Sequence, residues 1–241
     1  MEFSLIIPAY NEAGNVRSLL NEIREALNGV AQYELIFVDD GSTDDTIAEL
    51  IAMRDNGFKN LRIARHHRRC GQSAAILTGV RVARANWVAT LDADGQNDPT
   101  DIPRLLTIVR SANQELNLQL VTGLRLRRHD NASKRLSSKV ANVVRSALLK
   151  DGTPDTGCGL KIFSRRAFLE LPYFDHMHRF LPALFRRNGG AIEMIEVNHR
   201  PRRRGISKYG VHNRLWVGIV DLLGVMWLLR RNTRPEWTEV R

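Results

Sequence analysis

The first half of this chain alternates short apolar runs with longer amphipathic segments, and this alternation limits its fold more than any other feature. The apolar runs have the length of strands, and the segments between them repeat apolar residues at helical spacing. A strand–helix–strand alternation is typical of parallel sheets that are covered by helices. The sequence therefore predicts an α/β fold with a mostly parallel central sheet.

The second half of the chain is less regular, but further elements follow from the same patterns. We predict strands at Phe3–Pro8, Glu34–Val38, Leu61–Ala64, Trp87–Leu91, Leu120–Gly123, Gly157–Phe163 and Ala191–Val197. The predicted helices are Asn15–Leu27, Thr43–Met53, Ser73–Ala83, Ile102–Leu116, Lys134–Leu149 and Leu215–Leu229. We place a domain boundary after residue 212, so that residues 1–212 form the main domain and residues 213–241 form a C-terminal helix with a basic tail.

The most informative loop follows the fourth predicted strand and has the sequence Asp92-Ala93-Asp94-Gly95-Gln96. Two carboxylates in alternate positions can supply oxygen ligands to one hard divalent cation, such as Mg²⁺ or Mn²⁺. A cation held in this way could neutralise a diphosphate leaving group. A solvated acidic turn is the alternative, but the preceding strand and the neighbouring motifs favour a metal site.

Polar loops also follow the first two predicted strands. The segment Pro8-Ala9-Tyr10-Asn11-Glu12 offers an aromatic ring for stacking and a carboxylate for a sugar hydroxyl. The segment Val38-Asp39-Asp40-Gly41-Ser42 offers carboxylates to a base or ribose, or caps for the helix that follows it. Because ligands of parallel α/β sheets bind at the carboxyl ends of the strands, these loops are expected to form one ligand site.

Together the three loops resemble those of glycosyltransferase family 2, an inverting family with the GT-A (Rossmann-like, nucleotide-diphospho-sugar transferase) fold. The resemblance covers nearly the whole chain and is closest to the polyprenyl-phosphate sugar transferases, which are typified by dolichyl-phosphate mannose synthase. It implies a nucleotide-sugar site that includes Pro8, Tyr10, Glu12, Val38, Asp39, Asp92, Ala93, Asp94 and Gln96. It also implies that Asp92, Asp94 and Gln96 hold the metal and the diphosphate.

Basic motifs in the second half resemble the same family. By that resemblance, Arg125, Arg135 and Ser138 would receive the phosphate of the acceptor. Arg202 and Lys208 lie in a segment similar to the family's R-x-x-G-x-S-K-Y motif and would bind the donor phosphates. An arginine fork and a lysine point charge suit a loop that closes over a diphosphate.

We expect catalysis to depend on Asp94, Arg125, Arg135 and Asp155. Asp155 matches the family's D-x-x-x-G pattern, and in relatives that act on sugar hydroxyls a carboxylate near this position deprotonates the acceptor. A phosphate acceptor is already anionic and needs little help from a base. The sequence therefore favours an orienting role for Asp155 and leaves a role as base open. Gly95 replaces the family's usual leucine, so we expect a more flexible loop there.

The resemblance implies inverting transfer of a sugar from a GDP- or UDP-linked donor to a polyprenyl phosphate of the undecaprenyl or dolichyl type, for cell-envelope glycan or lipopolysaccharide modification. The first alternative is a family 2 transferase that acts on a sugar hydroxyl of a glycan. A nucleotidyltransferase is a second alternative. It would require a glycine-rich, basic loop after the first strand, whereas residues 9–14 are acidic. A basic nucleic-acid-binding protein is the non-enzyme alternative, but no helix-turn-helix, zinc or aromatic RNA-binding motif is present.

The net charge of +10 calls for an anionic partner, and a phosphorylated lipid or an anionic membrane surface fits it. Leu215–Leu229 is shorter than the roughly 20 apolar residues of a membrane-spanning helix, and Asp221 lies at its centre. We therefore predict an interfacial helix with Trp216 and Trp227 at headgroup level, on the cytoplasmic face of the membrane. Packing against the domain or a second subunit is the alternative, and a homo-oligomer or a separate membrane-anchored partner would provide any stronger anchor.

Cysteine and histidine provide little additional chemistry. Cys70 and Cys158 are too few and too far apart for a disulfide framework or a zinc site, which favours a reducing cytoplasm. We expect Cys158 to be packed, and we expect the histidines to be solvated or packed and not ligands: His66, His67, His176 and His178.

Overall fold

The structure, a computed structural model, describes residues 1–112, 117–125, 145–201, 211–233 and 238–239. Its strands form one seven-stranded sheet in the order β3-β2-β1-β4-β6-β5-β7. All neighbouring strands are parallel except that β6 runs antiparallel to both β4 and β5. The strands are β1 (Phe3–Ala9), β2 (Tyr33–Asp39), β3 (Leu61–Arg65), β4 (Trp87–Thr90), β5 (Leu118–Leu124), β6 (Lys161–Ser164) and β7 (Ala191–Glu196). The predicted α/β fold with a mostly parallel sheet is confirmed.

Helices cover both faces of this sheet. They are α1 (Ala13–Leu27), α2 (Thr46–Asp55), α3 (Gln72–Val82), α4 (Ile102–Ser111), α5 (helical residues 145–149), α6 (Arg165–Leu169), α7 (Leu181–Arg187) and α8 (Val211–Arg230), with short 3₁₀ turns at Pro99–Asp101 and Met177–Arg179.

The side chains of β1 alternate between the two faces, as expected of a strand at the centre of a sheet. Leu5 and Ile7 belong to a core formed with α1, α2 and α4, whereas Ile6 belongs to a second core formed with α3, α6, α7 and α8. On the second face α3 approaches β1 so closely that a Cβ atom at Gly79 would lie 2.4 Å from Ile6. This contact fixes α3, and with it the start of α3, against the sheet.

The register of the strands brings the three predicted loops to one edge of the sheet. Pro8 is paired with Val38, and Ala9 with Asp39, so β1 and β2 end side by side. The Leu91 N–H, just after β4, donates to the carbonyl of Ile6 in β1 at 3.1 Å. The loops after β1, β2 and β4 therefore start next to one another, as the sequence predicted.

Several predicted elements differ in their bounds from those observed. The strand expected from Gly157 begins only at Lys161, because residues 157–160 form a turn that approaches the end of β4. The helix predicted to reach Leu116 ends at Ser111, where the next residue takes an extended backbone (φ −64°, ψ 120°). The helix predicted at Lys134–Leu149 is described only over residues 145–149, where it is helical.

The C-terminal helix is present and is longer than predicted, spanning Val211–Arg230. None of the helices in the described part of the chain is long and apolar enough to cross a bilayer. The helix begins at Val211, so the boundary proposed after residue 212 falls within its first turn. That boundary stays a prediction.

Candidate active site

Asp92 lies at the centre of the loop edge and is held from two sides. Its carboxylate oxygen Oδ1 accepts a 2.8 Å hydrogen bond from the side-chain amide of Gln72, the first residue of α3. On another side, a Cβ atom at Gly159 would lie only 2.1 Å from Oδ2 of Asp92. Position 159 therefore has to be glycine for the carboxylate to keep this place.

The charge around Asp92 is suited to a cation. Burial and the nearby charge of Asp94 raise the pKa of Asp92 to about 6, even though Lys161 and Arg125 act in the opposite direction. Two neighbouring carboxylates that repel each other are stabilised by a bound divalent ion, and oxygen is the ligand that Mg²⁺ and Mn²⁺ prefer. The residues present therefore fit the metal that the sequence predicted here.

Lys161 and Gln72 are two parts of the site that sequence reasoning missed. Lys161, the first residue of β6, is 4% exposed, and its ammonium donates to the carbonyls of Thr156 and Cys158. Burial lowers the pKa of Lys161, while the charges of Cys158 and Asp92 act to raise it. The only sequence signal would have been a lysine inside an otherwise apolar strand, where a buried cation requires a partner.

Beyond Asp92 the loop turns sharply. Gly95 has a positive φ of 73°, a conformation that glycine adopts without the strain of a side chain. The Gln96 N–H donates to Oδ1 of Asp94 at 3.1 Å, which closes the turn. The glycine that departs from the family pattern thus fits the backbone of this particular turn.

The same turn is joined to the segment that leads into the predicted phosphate-binding motif. The Arg200 N–H donates to the carbonyl of Gln96 at 2.9 Å, and Asn97 forms a β-bridge with His199. The guanidinium of Arg200 is itself paired with Glu22 and Asp98, both at 2.6 Å. Arg200 therefore fastens this segment next to the acidic loop.

At the ends of β1 and β2 lie the residues expected to hold a nucleoside. Asp39 is fully buried, accepts hydrogen bonds from the Ser42 N–H at 3.2 and 3.3 Å, and is paired with Arg65 at 3.3 Å. The guanidinium of Arg69 lies over the ring of Tyr10, 4.4 Å from its centroid. Neither arginine was singled out from the sequence.

Glu12 and Pro8 complete this corner. A carboxylate oxygen of Glu12 accepts a 2.7 Å hydrogen bond from the side-chain amide of Asn15, and the Glu12 N–H donates to the hydroxyl of Thr46. Pro8 and Val38 are paired neighbours at the ends of β1 and β2, and Ala93 is buried beside Asp92. The predicted nucleotide-sugar residues that the structure describes thus lie at the same edge of the sheet.

Asp40 has a structural role that the sequence did not reveal. Its carboxylate accepts hydrogen bonds from the backbone N–H groups of Cys70 and Gly71, each at 2.8 Å. The neighbouring Gly41 has a φ of 73°, and a Cβ atom there would lie 2.7 Å from the backbone of Arg68. Asp40 and Gly41 therefore fix residues 66–71, which carry Arg69, against the end of β2.

The histidines have more specific partners than expected. His66 is bonded through Nδ1 to Asp40 and through Nε2 to Thr78, at 2.8 and 2.9 Å, and candidate ligand atoms of Asp40, His66 and Cys70 lie within 4.8 Å of one another. Because both ring nitrogens are already hydrogen-bonded, we assign this cluster to fastening the 66–71 segment. His178 is bonded to Ser73 through its ring and its N–H, and burial lowers its pKa well below the usual value.

Arg125 and Asp155 form a buried ion pair at the end of β5. The guanidinium donates from Nε and Nη2 to the two carboxylate oxygens at 2.8 and 2.9 Å, and the Arg125 N–H adds a third contact at 3.2 Å. Burial opposes the charge of Arg125, but the contacts with Asp155 outweigh it and raise the pKa of Arg125. Both carboxylate oxygens of Asp155 are thus bonded to Arg125, and the orienting role expected of Asp155 stays a prediction.

The remaining predicted site residues lie outside the described part of the chain. They are Arg135, Ser138, Arg202 and Lys208. Their roles stay predictions.

Helix α8 presents a continuous apolar stripe to solvent. One side of the helix packs on the second core, where Val225 is fully buried. The opposite side exposes five apolar side chains at helical spacing, and three of them are 60% exposed or more. They are Trp216, Ile219, Val220, Leu223 and Trp227. Contiguous exposed apolar side chains of this kind are typical of surfaces that contact a membrane or another protein.

Comparison with known proteins agrees with this architecture. The model of the family "Glycosyl transferase family 2" matches residues 4–171. A dodecaprenyl-phosphate galacturonate synthase of Rhizobium johnstonii is 35% identical over 239 residues, which cover 98% of this chain and 69% of that protein. An undecaprenyl-phosphate 4-deoxy-4-formamido-L-arabinose transferase of Aeromonas hydrophila is 32% identical over 212 residues, 86% of this chain and 63% of that protein.

Solved structures share the fold. A glucosyl-3-phosphoglycerate synthase of Mycobacterium tuberculosis, solved with Mn²⁺, UDP and glucosyl-3-phosphoglycerate, matches with a TM-score of 0.72 at 22% identity, covering 98% of this chain and 81% of that one. The same protein has also been solved with Mg²⁺ and UDP, and that structure matches with a TM-score of 0.71. The sheet order, the acidic loop after β4 and the family match over residues 4–171 agree, and the chain belongs to glycosyltransferase family 2.

Proposed function

We propose that this protein transfers a sugar from a nucleotide diphosphate sugar to a polyprenyl phosphate, with inversion at the anomeric carbon, for modification of a cell-envelope glycan or lipopolysaccharide. The observation that carries the proposal is the two half-buried, mutually repelling carboxylates Asp92 and Asp94, whose loop adjoins the nucleoside loops at one edge of the sheet. The relatives whose names specify a polyprenyl phosphate support the choice of acceptor.

On the donor side, the chain's own residues would bind and orient the nucleotide. Tyr10 and Asp39 would contact the nucleoside, with Arg65 and Arg69 beside them. When a Mg²⁺ or Mn²⁺ ion is bound, it neutralises the charge that develops on the leaving diphosphate. Asp92 and Asp94 would hold that ion together with Gln96, and the anchoring of Arg200 to the same loop would bring Arg202 and Lys208 to the phosphates.

On the acceptor side, Arg125 would present its charge to the lipid phosphate. The fork between Arg125 and Asp155 occupies both carboxylate oxygens, so that Asp155 is poorly placed to remove a proton and well placed to hold the guanidinium. A phosphate acceptor brings its own negative oxygen to the anomeric carbon and needs no such proton transfer. Arg135 and Ser138 would complete this acceptor site.

The reaction also requires access to a bilayer. We infer that α8 lies in the membrane interface with Trp216, Leu223 and Trp227 directed toward the acyl chains, on the cytoplasmic side where nucleotide sugars are available. The enzyme would thus be peripheral, with its acceptor reached from the membrane surface.

Transfer of a radiolabelled sugar to undecaprenyl phosphate in detergent tests the proposal directly. The donors would be UDP- and GDP-linked sugars, including a uronic acid and an aminoarabinose derivative, in the presence of Mn²⁺ or Mg²⁺. We expect a labelled lipid that Asp94→Asn and EDTA abolish, and that Asp45→Asn leaves unchanged because Asp45 is exposed and makes no capping contact. Label that appears on a glycan hydroxyl instead, or on no acceptor, would refute the proposed acceptor.

A further inference from the structure

A cavity at the far end of α8 is not accounted for by the sugar-transfer site. It has a volume of about 350 Å³ and is lined by residues from α5, α7 and α8 and by Lys150. Volumes of this order are typical of small-molecule sites. Arg187, which lines it, precedes β7, and β7 begins opposite the start of β5, whereas Arg125 follows the end of β5. The cavity therefore lies at the opposite edge of the sheet from the acidic loop.

The lining of this cavity is amphipathic. Its wall is apolar and includes Leu149, Met226 and Leu229, and Leu148 beside it is 45% exposed. Among the residues that the structure describes, its rim carries four basic side chains and no acidic one: Lys150, Arg186, Arg187 and Arg230. An apolar wall with a cationic rim is complementary to a molecule that is an anion at one end and a hydrocarbon at the other.

Of the four basic side chains at the cavity, one stabilises the fold and three have no such role in the described part of the chain. Arg187 donates to the carbonyls of Leu228 and Arg231, at 3.0 and 3.1 Å, and so satisfies the last turn of α8. In the part of the chain that the structure describes, no carboxylate forms an ion pair with Lys150, Arg186 or Arg230. Three cations around one cavity without an acidic partner repel one another and favour a bound anion.

The surroundings indicate where that anion comes from. The apolar stripe of α8 leads to the same end of the helix, and Trp227 is 61% exposed one residue away from Met226 of the cavity wall. A helix that lies in the membrane interface would place the cavity at the depth of lipid headgroups. A soluble phosphate would need no apolar wall, whereas a membrane lipid has both a phosphate and acyl chains.

We propose that this cavity binds the phosphate headgroup of an anionic phospholipid, as a second lipid site distinct from the acceptor site. Lys150, Arg186 and Arg230 surround the phosphate, and the apolar wall receives the upper part of an acyl chain. Such a site orients the enzyme on the bilayer, because it holds one end of α8 at the membrane surface while the apolar stripe holds the rest of the helix there. The inference rests on the proposed membrane location and is independent of the proposed reaction.

Sedimentation of the full chain with vesicles, without donor or acceptor, tests this site. The pocket variant is Lys150→Gln/Arg186→Gln/Arg230→Gln. The matched control is Arg17→Gln/Arg54→Gln/Lys59→Gln. The three control residues are exposed and lie on or beside α1 and α2, on the other face of the sheet. Both variants lower the net charge of +10 by three, to +7. The vesicles are pure phosphatidylcholine or a mixture with phosphatidylglycerol.

We expect the pocket variant to lose affinity for phosphatidylglycerol vesicles by on the order of 100-fold, because each basic residue near an anionic membrane contributes roughly fivefold. The control should lose far less, and binding to neutral vesicles should be equal in all three proteins. Equal losses in the two variants would overturn the proposal, since charge alone would then explain them. Displacement of the protein from vesicles by millimolar inorganic phosphate would also overturn it and indicate a site for soluble phosphate.

Two further measurements keep the result interpretable. Thermal unfolding and UDP binding with Mn²⁺ should be unchanged in the pocket variant, so that a failure of the sugar-transfer assay is distinguishable from a failure of this site. Where the triple variant does not fold, Arg186→Gln should lose roughly fivefold in affinity for anionic vesicles and Arg186→Lys should retain it. A dimer in solution that the pocket variant dissociates would assign the cavity to a second copy of the chain and overturn the lipid site.

Discussion

At the scale of single residues, the site depends on how closely Gly159 approaches Asp92. We expect Gly159→Ala to displace the carboxylate, because the added methyl group would lie 2.1 Å from Oδ2. Overpacking of this kind costs about 1–3 kcal/mol of unfolding free energy, and here it also disrupts a proposed metal ligand. Urea unfolding and the thermal shift produced by UDP with Mn²⁺ measure the two effects.

The matched control is Gly224→Ala in α8, where nothing lies within 4 Å of the added methyl group. There alanine should stabilise the helix by about 0.5–1 kcal/mol and leave the nucleotide response intact. A Gly159→Ala protein that keeps the full response to UDP and Mn²⁺ would contradict the proposed role of Asp92.

Asp92 should also make the stability of the metal-free protein depend on pH. Its pKa is about 6 in the folded protein against an ordinary value of 3.8, so the folded state binds the proton more tightly than the unfolded state does. The contribution of Asp92 to the free energy of unfolding therefore falls as the pH rises from about 4 to 6, and this contribution stays low above pH 6. In EDTA, Asp92→Asn should be more stable than the wild type by up to about 3 kcal/mol above pH 6, and by almost nothing near pH 4.

Urea titrations of both proteins across this range provide the measurement, with Asp45→Asn as the exposed control. An advantage of Asp92→Asn that is the same at every pH, or that grows toward acid, would show that the carboxyl group is not the cause.

Residues of the site differ in how well the sequence predicted them. The carboxylates were predictable because Asp39 ends β2, Asp92 and Asp94 lie just beyond β4, and the ends of parallel strands meet at one edge. Gln72 and Lys161 were not, because their roles come from packing: Gln72 is brought to Asp92 by the contact of α3 with β1, and Lys161 by the antiparallel β6. Local sequence patterns contain no information about such contacts between distant elements.

At the scale of elements, one buried carboxylate fastens the 66–71 segment to β2. We expect Asp40→Ala to lower the free energy of unfolding by about 2–4 kcal/mol, because the N–H groups of Cys70 and Gly71 lose their acceptor. The same change should release Arg69 from the ring of Tyr10. Hydrogen exchange of residues 66–71 checks the loosening, and urea unfolding checks the loss.

Asp45→Ala is the control for this prediction, since Asp45 directly precedes α2 and forms no side-chain capping bond. It should change the unfolding free energy by far less than Asp40→Ala does. Unchanged hydrogen exchange at Cys70 and Gly71 in Asp40→Ala would show that other contacts hold the segment.

Elements were predicted best where a single pattern decided them. The strands β1, β2 and β3 were predicted to within one residue at each end, since each is a short apolar run bounded by polar loops. The start of β6 was misplaced by four residues because Cys158 and Leu160 are buried in a turn and were interpreted as part of a strand. Burial alone does not distinguish a packed turn from a strand.

At the scale of the whole molecule, the two faces of the sheet have different surroundings. The face with α1, α2 and α4 is covered by helices whose outer sides are mostly polar, whereas the face with α3, α6 and α7 also carries α8 and its exposed apolar stripe. His176 is paired with Asp221 at 3.0 Å, and Arg187 binds the last turn, so α8 is attached to the domain at two levels. The sequence predicted the helix as interfacial or packed, and its two sides correspond to these two interpretations.

Because the packed side and the exposed side are separate, the membrane role of α8 can be tested without unfolding it. We expect Trp216→Ser/Trp227→Ser to reduce binding to phosphatidylcholine vesicles by at least about tenfold, because burial of a large apolar side chain contributes roughly 1.5–3 kcal/mol. Helix content and the thermal shift with UDP and Mn²⁺ should not change, since both side chains are more than 60% exposed. The control is Ile51→Ser, which removes a 40% exposed apolar side chain from α2 on the other face. Vesicle binding that falls equally in both proteins, or in neither, would leave the stripe without a role in membrane association, and the acceptor would then have to be reached in another way.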